Sequence, residues 1–271
     1  MEPEPILFFD SGAGGLPYLE RTRELLPRER FIYVADRRNY PYGEKSAAEL
    51  RKVVVGTVAR ALRRFAPKLV VVACNTASVV ALDALRGTFD LPFVGVVPAV
   101  KPAAEHLTGG RLAVVATRQT VSGEYLRQLI QNFASGLQVV TIPVANLVDY
   151  AEYNPPPRDS KGDETAVRRE LDPYLEHGLD SVVLGCTHFT LLDEAFGRVL
   201  GPGVQLIDSR EGVSRRVLSV LEHRGSLAAD SRGRARLFLH GGEADRQRYL
   251  AFARAFGLEY CGHLDEEKEG R

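Results

Sequence analysis

Two of the three cysteines in this sequence stand in matching contexts. Cys74 follows the apolar run Leu-Val-Val-Val-Ala, and Cys186 follows Ser-Val-Val-Leu-Gly. Each cysteine is then followed by hydroxyl or amide side chains at the start of a new segment. Cys261, in Leu-Glu-Tyr-Cys-Gly-His, has no comparable context, and we interpret it as a packing residue. The candidate reactive groups are therefore the thiols of Cys74 and Cys186.

A cysteine between a buried strand and a helix N-terminus lies close to the partial positive charge at that end of the helix, which lowers the pKa of the thiol. Two such thiols in equivalent places could face each other across one ligand. One thiolate would remove an α-proton from one face, and the other group, as a thiol, would return a proton to the opposite face. This chemistry is that of a racemisation, and it needs fixed donors for a carboxylate and a site without bulk water.

Other polar groups occur where the apolar runs end, the place at which parallel α/β sheets bind ligands. They are mostly hydroxyls, amides and backbone N–H groups near glycines, which suit a carboxylate. The glycine loop 11–15 lacks the lysine of a P-loop, and Pro17 stands where a dinucleotide-binding loop needs its third glycine. Asp10 could assist proton transfer or cap the helix that starts near Leu16. His188 could handle protons or be structural.

Short apolar runs alternate with longer amphipathic segments along the whole chain. The runs are nearly unbroken by polar residues, which is typical of strands covered on both faces and predicts an α/β fold with parallel sheets. The similarity around the two cysteines predicts two similar α/β domains that face each other, with the active site at their interface. We expect the first domain to comprise 1–97 plus 208–271 and the second 98–207. The predicted strands are 6–9, 31–35, 69–73, 93–97, 112–116, 137–142, 181–185, 204–207 and 236–239.

Two helix starts carry capping signals. Ser46 stands three residues before Glu49, which predicts a capping box ahead of a helix to residue 65. Asp208 and Glu211 have the same spacing before a segment that ends near His223. The Pro-rich stretch 153–162 predicts an exposed loop.

The composition limits the kinds of molecule that this protein is expected to bind. The 271 residues include 35 basic and 35 acidic side chains, so no charge excess favours a nucleic acid. No apolar run reaches the roughly 20 residues that a membrane span needs, and the first residues do not resemble a signal peptide. We therefore expect a cytoplasmic protein with free thiols. A zinc site is disfavoured because paired metal-ligand spacings are missing.

Several short motifs, taken in order, resemble those of the glutamate racemases, a family within the cofactor-independent aspartate/glutamate racemase superfamily. The similarity extends from about Ile6 to Leu258. The matching pieces are Phe-Asp10-Ser11-Gly12-x-Gly14-Gly15, Asp36 with Pro41-Tyr42-Gly43, Ala-Cys74-Asn75-Thr76-Ala-Ser78, Gly95-Val-x-Pro98, Ala116-Thr117-x-x-Thr120 and Leu-Gly-Cys186-Thr187-His188-Phe.

The resemblance implies L- and D-glutamate as substrates, no pyridoxal phosphate or metal, a homodimer, and a product used in bacterial peptidoglycan synthesis. It implies that Cys74 and Cys186 are the acid/base residues and that Asp10 and His188 assist them. The residues that it implies for the glutamate pocket are Ser11, Pro41, Tyr42, Gly43, Asn75, Thr76, Thr117, Thr120 and Thr187.

The chain also departs from the family pattern. Thr190 replaces the usual proline, Ala13 the usual valine, and Val97 the acid before Pro98. A helper acid in the segment 148–152 could be Asp149 or Glu152.

Two other functions remain open. The first is a racemase of aspartate or another acidic amino acid, and the second is a non-catalytic carboxylate-binding or regulatory protein on the same fold. A thiol hydrolase is disfavoured because the order Cys-His-Asn is missing.

Overall fold

The computed structural model describes residues 4–107, 109–144, 146–175, 178–229 and 234–265. Two parallel sheets form its framework, and all strand pairs within each of them are parallel. The prediction of two parallel-sheet α/β domains is confirmed, whereas the domain bounds remain a prediction. The strands are β1 (Ile6–Asp10), β2 (Phe31–Ala35), β3 (Leu69–Val72), β4 (Phe93–Gly95), β5 (Arg111–Ala116), β6 (Gln138–Pro143), β7 (Ser181–Leu184), β8 (Gln205–Ile207), β9 (Ala235–Leu239) and β10 (Glu259–His263).

The first sheet has the order β10-β9-β2-β1-β3-β4, and the second has the order β6-β5-β7-β8. The run β2-β1-β3-β4 therefore corresponds strand for strand to β6-β5-β7-β8. The register corresponds as well, since Phe9 pairs with Val72 and Val115 pairs with Leu184. The similarity between the two halves of the sequence reflects a repeated topology.

Helices cover both faces of each sheet. Alternate residues of the buried strands point to opposite faces, so each sheet contributes to two cores, one with helices on either side. The helices are α1 (Leu16–Leu25), α2 (Ala47–Phe65), α3 (Asn75–Thr88), α4 (Val100–Glu105), α5 (Arg118–Ser122), α6 (Glu124–Phe133), α7 (Asn146–Tyr153), α8 (Ser160–Leu175), α9 (Asp193–Leu200), α10 (Arg210–His223) and α11 (Arg246–Ala255).

The two capping predictions have different outcomes. Ser46 is the N-cap of α2 and accepts a hydrogen bond from the Glu49 N–H, as predicted. The prediction for α10 is wrong, because Ser209 occupies the N-cap position and makes no side-chain cap bond. Asp208 instead accepts from the Arg210 N–H at 2.7 Å.

The sequence pattern misses β10. This strand lies at the edge of the first sheet, contains a glycine and is only half-buried, so it lacks the apolar run that marks the other strands. Cys261 lies in its middle. Among the described residues, no helix combines the length and apolar character required to cross a bilayer.

Candidate active site

Cys74 and Cys186 occupy equivalent positions in the two halves. Each lies two residues beyond the end of its strand, β3 or β7. Cys74 is the N-cap of α3, and Cys186 is the N-cap of a short 3-10 helix, Thr187–Leu192. Ser11 and Thr117, two residues beyond Phe9 and Val115, are likewise equivalent through the strand register. Each half therefore brings one thiol and one hydroxyl to its facing edge.

Both cysteines line one cavity of about 300 Å³ between the two halves. Each is only 6% exposed, which keeps the thiols largely from bulk water. The predicted residues on its wall, besides the two cysteines, are Ser11, Pro41, Tyr42, Gly43, Asn75, Thr76, Thr117, Thr187 and His188. The wall also contains six residues that the sequence did not single out for the pocket, namely Tyr40, Glu44, Arg118, Asn146, Val148 and Asp149.

Asp10 lies behind this wall, fully buried next to Cys74. Its Oδ1 accepts the Ser11 N–H at 2.6 Å, and its Oδ2 accepts the Thr187 hydroxyl at 3.4 Å. It does not cap α1, whose N-cap is Gly15. Burial raises the pKa of Asp10 to about 6, although the charge of His188 and the Ser11 N–H lower it. The carboxyl group can therefore exchange a proton near neutral pH.

The thiol of Cys74 does not have the lowered pKa that its helix position predicts. Burial, followed by the neighbouring Asp10, raises the pKa of Cys74 well above its usual value. The backbone N–H of Ala77 acts in the opposite direction but is outweighed. The prediction of an acidified thiol is thus wrong for Cys74, because desolvation exceeds the helix effect.

Cys186 has a different partner, the imidazole of His188. Nε2 of His188 lies 3.0 Å from Glu152 Oε2, and the ring also hydrogen-bonds to the Cys186 side chain. Burial alone would lower the pKa of His188, but these hydrogen bonds to Cys186 and Glu152 outweigh it and raise the pKa to about 10. A protonated imidazole therefore lies beside Cys186.

Glu152, and not Asp149, contacts this histidine. Glu152 is fully buried in α7, whereas Asp149 is exposed on the cavity rim and accepts a hydrogen bond from the Tyr40 hydroxyl at 2.6 Å. Burial would raise the pKa of Glu152, but the hydrogen bond from His188 and the charge of Arg37 lower it below the usual value. Glu152 is thus the anionic member of the pair with His188.

The glycine loop after β1 packs directly against this pair. A Cβ atom on Gly12 would lie 2.4 Å from Glu152 Oε2, and one on Gly14 would lie 2.6 Å from the His188 backbone nitrogen. The Ala13 N–H donates to Glu152 Oε2 at 2.8 Å. The glycines therefore allow a close approach between the two halves.

The loop that carries Pro41, Tyr42 and Gly43 is held from behind by Asp36. The Tyr42 hydroxyl donates to Asp36 Oδ2 at 2.6 Å, and His240 Nδ1 lies 2.7 Å from Asp36 Oδ1. His240 follows β9, next to β2 in the sheet, and was not among the residues predicted for the site.

The predicted threonines take different positions. Thr120 is not on the cavity wall; its hydroxyl lies 3.0 Å from that of Thr117, behind it. The Thr117 hydroxyl in turn lies 3.5 Å from that of Thr76, so this contact joins the two halves. Thr190, where the family has proline, donates to the Thr187 carbonyl at 2.7 Å and so stabilises the turn after Cys186.

Asn75 is the clearest candidate for direct contact with a ligand. It is 2% exposed and lines the cavity, yet neither Oδ1 nor Nδ2 has a hydrogen-bond partner within the described residues. Buried amides are normally hydrogen-bonded, so the unpartnered amide makes Asn75 a candidate for a hydrogen bond to a ligand.

The comparisons with known proteins agree with this architecture. The family model described as Asp/Glu/Hydantoin racemase matches residues 17–212. The glutamate racemase of Escherichia coli O7:K1 is 45% identical over 225 residues, which cover 82% of this chain and 78% of that protein.

Two solved structures are similar over nearly their whole length. The Escherichia coli glutamate racemase in complex with L-glutamate and the activator UDP-MurNAc-ala has a TM-score of 0.86 at 38% identity, covering 97% of this chain and 98% of the other. The Francisella tularensis glutamate racemase in complex with D-glutamate has a TM-score of 0.79 at 25% identity, covering 98% and 99%.

Two parallel α/β domains that each bring a cysteine to a shared cavity define an isomerase of the amino-acid racemase class. The chain belongs to the Asp/Glu/hydantoin racemase family.

Proposed function

We propose that this protein interconverts L- and D-glutamate by transferring protons through Cys74 and Cys186 without a cofactor. The observation that carries the proposal is the placement of both thiols on one cavity, each with its own buried proton-handling partner. The relatives named above, which are glutamate racemases, support glutamate as the substrate.

In this mechanism the Cys186 thiolate removes the α-proton of one enantiomer while the Cys74 thiol donates its own proton to the opposite face of the α-carbon. This leaves a Cys186 thiol and a Cys74 thiolate, which is the state that converts the other enantiomer. The thiol of Cys74 is protonated in the empty site because burial and Asp10 raise its pKa, so it is poised as the acid. The imidazolium of His188 lies beside Cys186 and can supply or hold a proton there. Removal of a proton on one side and delivery on the other inverts the α-carbon.

Several groups would hold the amino acid during inversion. The amide of Asn75 and the hydroxyl of Thr117 offer donors around the two thiols, whereas the hydroxyls of Ser11 and Thr187 already donate to Asp10. Such fixed donors stabilise charge that develops on the substrate carboxylate when the α-proton leaves. Thr120 would act indirectly, by orienting Thr117.

The test is exchange of the α-hydrogen of L- and D-glutamate in heavy water without added cofactor, followed by NMR. We expect exchange and racemisation with the wild-type protein, and loss of racemisation in Cys74→Ala and in Cys186→Ala. Full turnover in both variants would exclude the two-thiol mechanism. Lack of exchange with the wild type would favour a non-catalytic carboxylate-binding protein.

The same assay separates glutamate from aspartate. One methylene in a pocket typically changes kcat/KM by a factor that corresponds to about 1–3 kcal/mol. We expect a higher kcat/KM for L-glutamate than for L-aspartate, and a clear preference for aspartate would replace the proposed substrate.

We further propose that the D-glutamate serves peptidoglycan synthesis and that the protein acts as a homodimer in the cytoplasm, as the family resemblance implies. Growth of a D-glutamate-requiring bacterium on expression of this chain, without added D-glutamate, tests the first point. Light scattering of the purified protein tests the second.

A further inference from the structure

The carboxylate of Glu152 divides its two oxygens between two sets of partners. Oε2 faces His188 at 3.0 Å and the Ala13 N–H at 2.8 Å. Oε1 accepts the Tyr249 hydroxyl at 2.7 Å, while the guanidinium groups of Arg37 and Arg248 lie 3.2 Å and 3.9 Å from it. The proton-transfer mechanism uses only the first oxygen, so the second set of contacts needs its own explanation.

Arg37 is buried at a considerable cost in desolvation, which indicates a defined role. Its side chain is only 3% exposed. Arg37 follows β2 in the first half of the fold, whereas Glu152 belongs to α7 in the second half. Its Nε donates to Asp245 at 2.7 Å, and its guanidinium lies 3.9 Å from the centre of the Tyr40 ring. The group is therefore fixed on three sides, with Glu152 as one of them.

Tyr249 reaches Glu152 from α11. The residue is fully buried, and its hydroxyl hydrogen-bonds to Glu152 without lining the cavity. Burial raises the pKa of Tyr249 well above its usual value, so the phenol remains a neutral donor across the physiological range. A substrate in the cavity would not touch this hydroxyl, whose hydrogen-bond partner is Glu152.

The two thiols differ in the residues that lie behind them. The partner of Cys74 is Asp10, which hydrogen-bonds to Ser11 and Thr187 and has no cation in direct contact among the described residues. Within the part of the chain that the structure describes, only the Cys186 side has a histidine, a carboxylate and an arginine in series. The site is symmetric in its thiols and asymmetric in the groups behind them.

We propose that Arg37 and Tyr249 are positioning residues for the half-reaction at Cys186, which they serve by fixing Glu152 as an anion with one oxygen committed to His188. The inference rests on the proposed two-thiol racemisation and adds residues from the opposite half of the fold to it. Arg37 and Tyr249 keep the imidazolium aimed at Cys186, whereas the hydrogen-bond partners of Asp10 are Ser11 and Thr187.

A defect on one side of a racemase has a characteristic kinetic signature. The two enantiomers have equal free energies in water, so kcat/KM is equal in both directions for every variant. A one-sided defect therefore lowers kcat/KM equally for both enantiomers. The side of the defect is seen only in which of the two proton transfers limits the rate. Slower transfer at Cys186 makes deprotonation limiting for the enantiomer that Cys186 deprotonates, and reprotonation limiting for the other.

The experiment measures the isotope effect on kcat/KM with α-deuterated L-glutamate and α-deuterated D-glutamate. In Tyr249→Phe we expect kcat to fall about tenfold with KM nearly unchanged. The isotope effect should rise for one enantiomer and fall toward unity for the other. The matched control is Tyr18→Phe, which removes another fully buried phenol hydroxyl that contacts Ser209 instead of Glu152. We expect wild-type isotope effects in this control.

Arg37→Lys is the second variant, and it tests the same prediction if Tyr249→Phe does not fold. Lysine keeps the charge but lacks the planar fork that bridges Asp245 and Glu152, so the same enantiomer should show the larger isotope effect. Isotope effects that stay at wild-type values, or that shift equally for both enantiomers, would overturn the inference while wild-type racemisation continues. If the wild type itself does not racemise glutamate, the proposed function fails instead.

Discussion

Glu152 Oε2 lies 3.0 Å from Nε2 of His188, and both side chains are almost completely withdrawn from solvent. The carboxylate keeps its charge because His188 and Arg37 offset its burial. The imidazole, in turn, is held in its protonated form beside Cys186. This pair gives Cys186 a cationic neighbour, and the described residues place no such cation beside Cys74.

The first prediction separates the two candidate helper acids. Glu152→Gln preserves shape but removes the charge opposite His188, so we expect kcat to fall by about two orders of magnitude, within the range typical for general acid–base groups. Asp149→Asn, on the exposed rim, should change kcat less than tenfold. Circular dichroism of glutamate during turnover measures both variants. A larger loss in Asp149→Asn would return the helper role to that residue.

The choice between those two acids illustrates the limit of the sequence. Both lie in the segment 148–152, and the family motif is too loosely kept there to select one of them. The strand pattern nevertheless predicted the fold and the cysteine positions, because buried parallel strands form unbroken apolar runs. Arg37, Tyr249 and His240 could not be predicted, since they come close to the site only through contacts between distant segments.

The pKa of Cys74 shows a second limit. A helix N-terminus is visible in the sequence, whereas the degree of burial and the proximity of Asp10 are tertiary properties. The local signal predicts a lowered pKa, and the tertiary environment reverses it. The glycine loop is a similar case. Its glycines are required by close contacts with Glu152 and His188, which lie more than 100 residues away in the sequence.

The second prediction concerns the unpartnered amide of Asn75. Asn75→Ala removes no hydrogen bond from the empty protein, so the free energy of unfolding should change by less than about 1 kcal/mol. The substrate would lose a donor and an acceptor, and we expect KM to rise roughly tenfold, in line with about 1–1.5 kcal/mol for a hydrogen bond. Urea denaturation and steady-state kinetics test the two statements. A marked loss of stability with unchanged KM would assign Asn75 a structural role.

The third prediction tests the close approach at the glycine loop. In Gly12→Ala the new methyl group would collide with Glu152 Oε2, so we expect a loss of about 1–3 kcal/mol in stability and at least a tenfold fall in kcat. The matched control is Gly56→Ala, at an exposed position in the middle of α2, where no atom lies within 4 Å of the added carbon. This control should gain about 0.5–1 kcal/mol, because alanine favours the helix. Thermal denaturation compares both, and equal effects would contradict the packing argument.

The last prediction concerns the pH dependence of stability. The pKa of His188 rises from 6.5 to about 10 on folding, so the folded protein binds this proton more tightly between those values. The stabilisation from His188 is complete below pH 6.5 and is lost as the pH rises toward 10, at a rate of at most about 1.4 kcal/mol for each pH unit. His188→Asn removes the titrating group while Arg37 and Tyr249 still hold Glu152, and its unfolding free energy should fall less between pH 6.5 and 10. Urea denaturation of both proteins at pH 6, 8 and 10 measures the difference. Parallel pH profiles would show that the imidazolium does not stabilise the folded state.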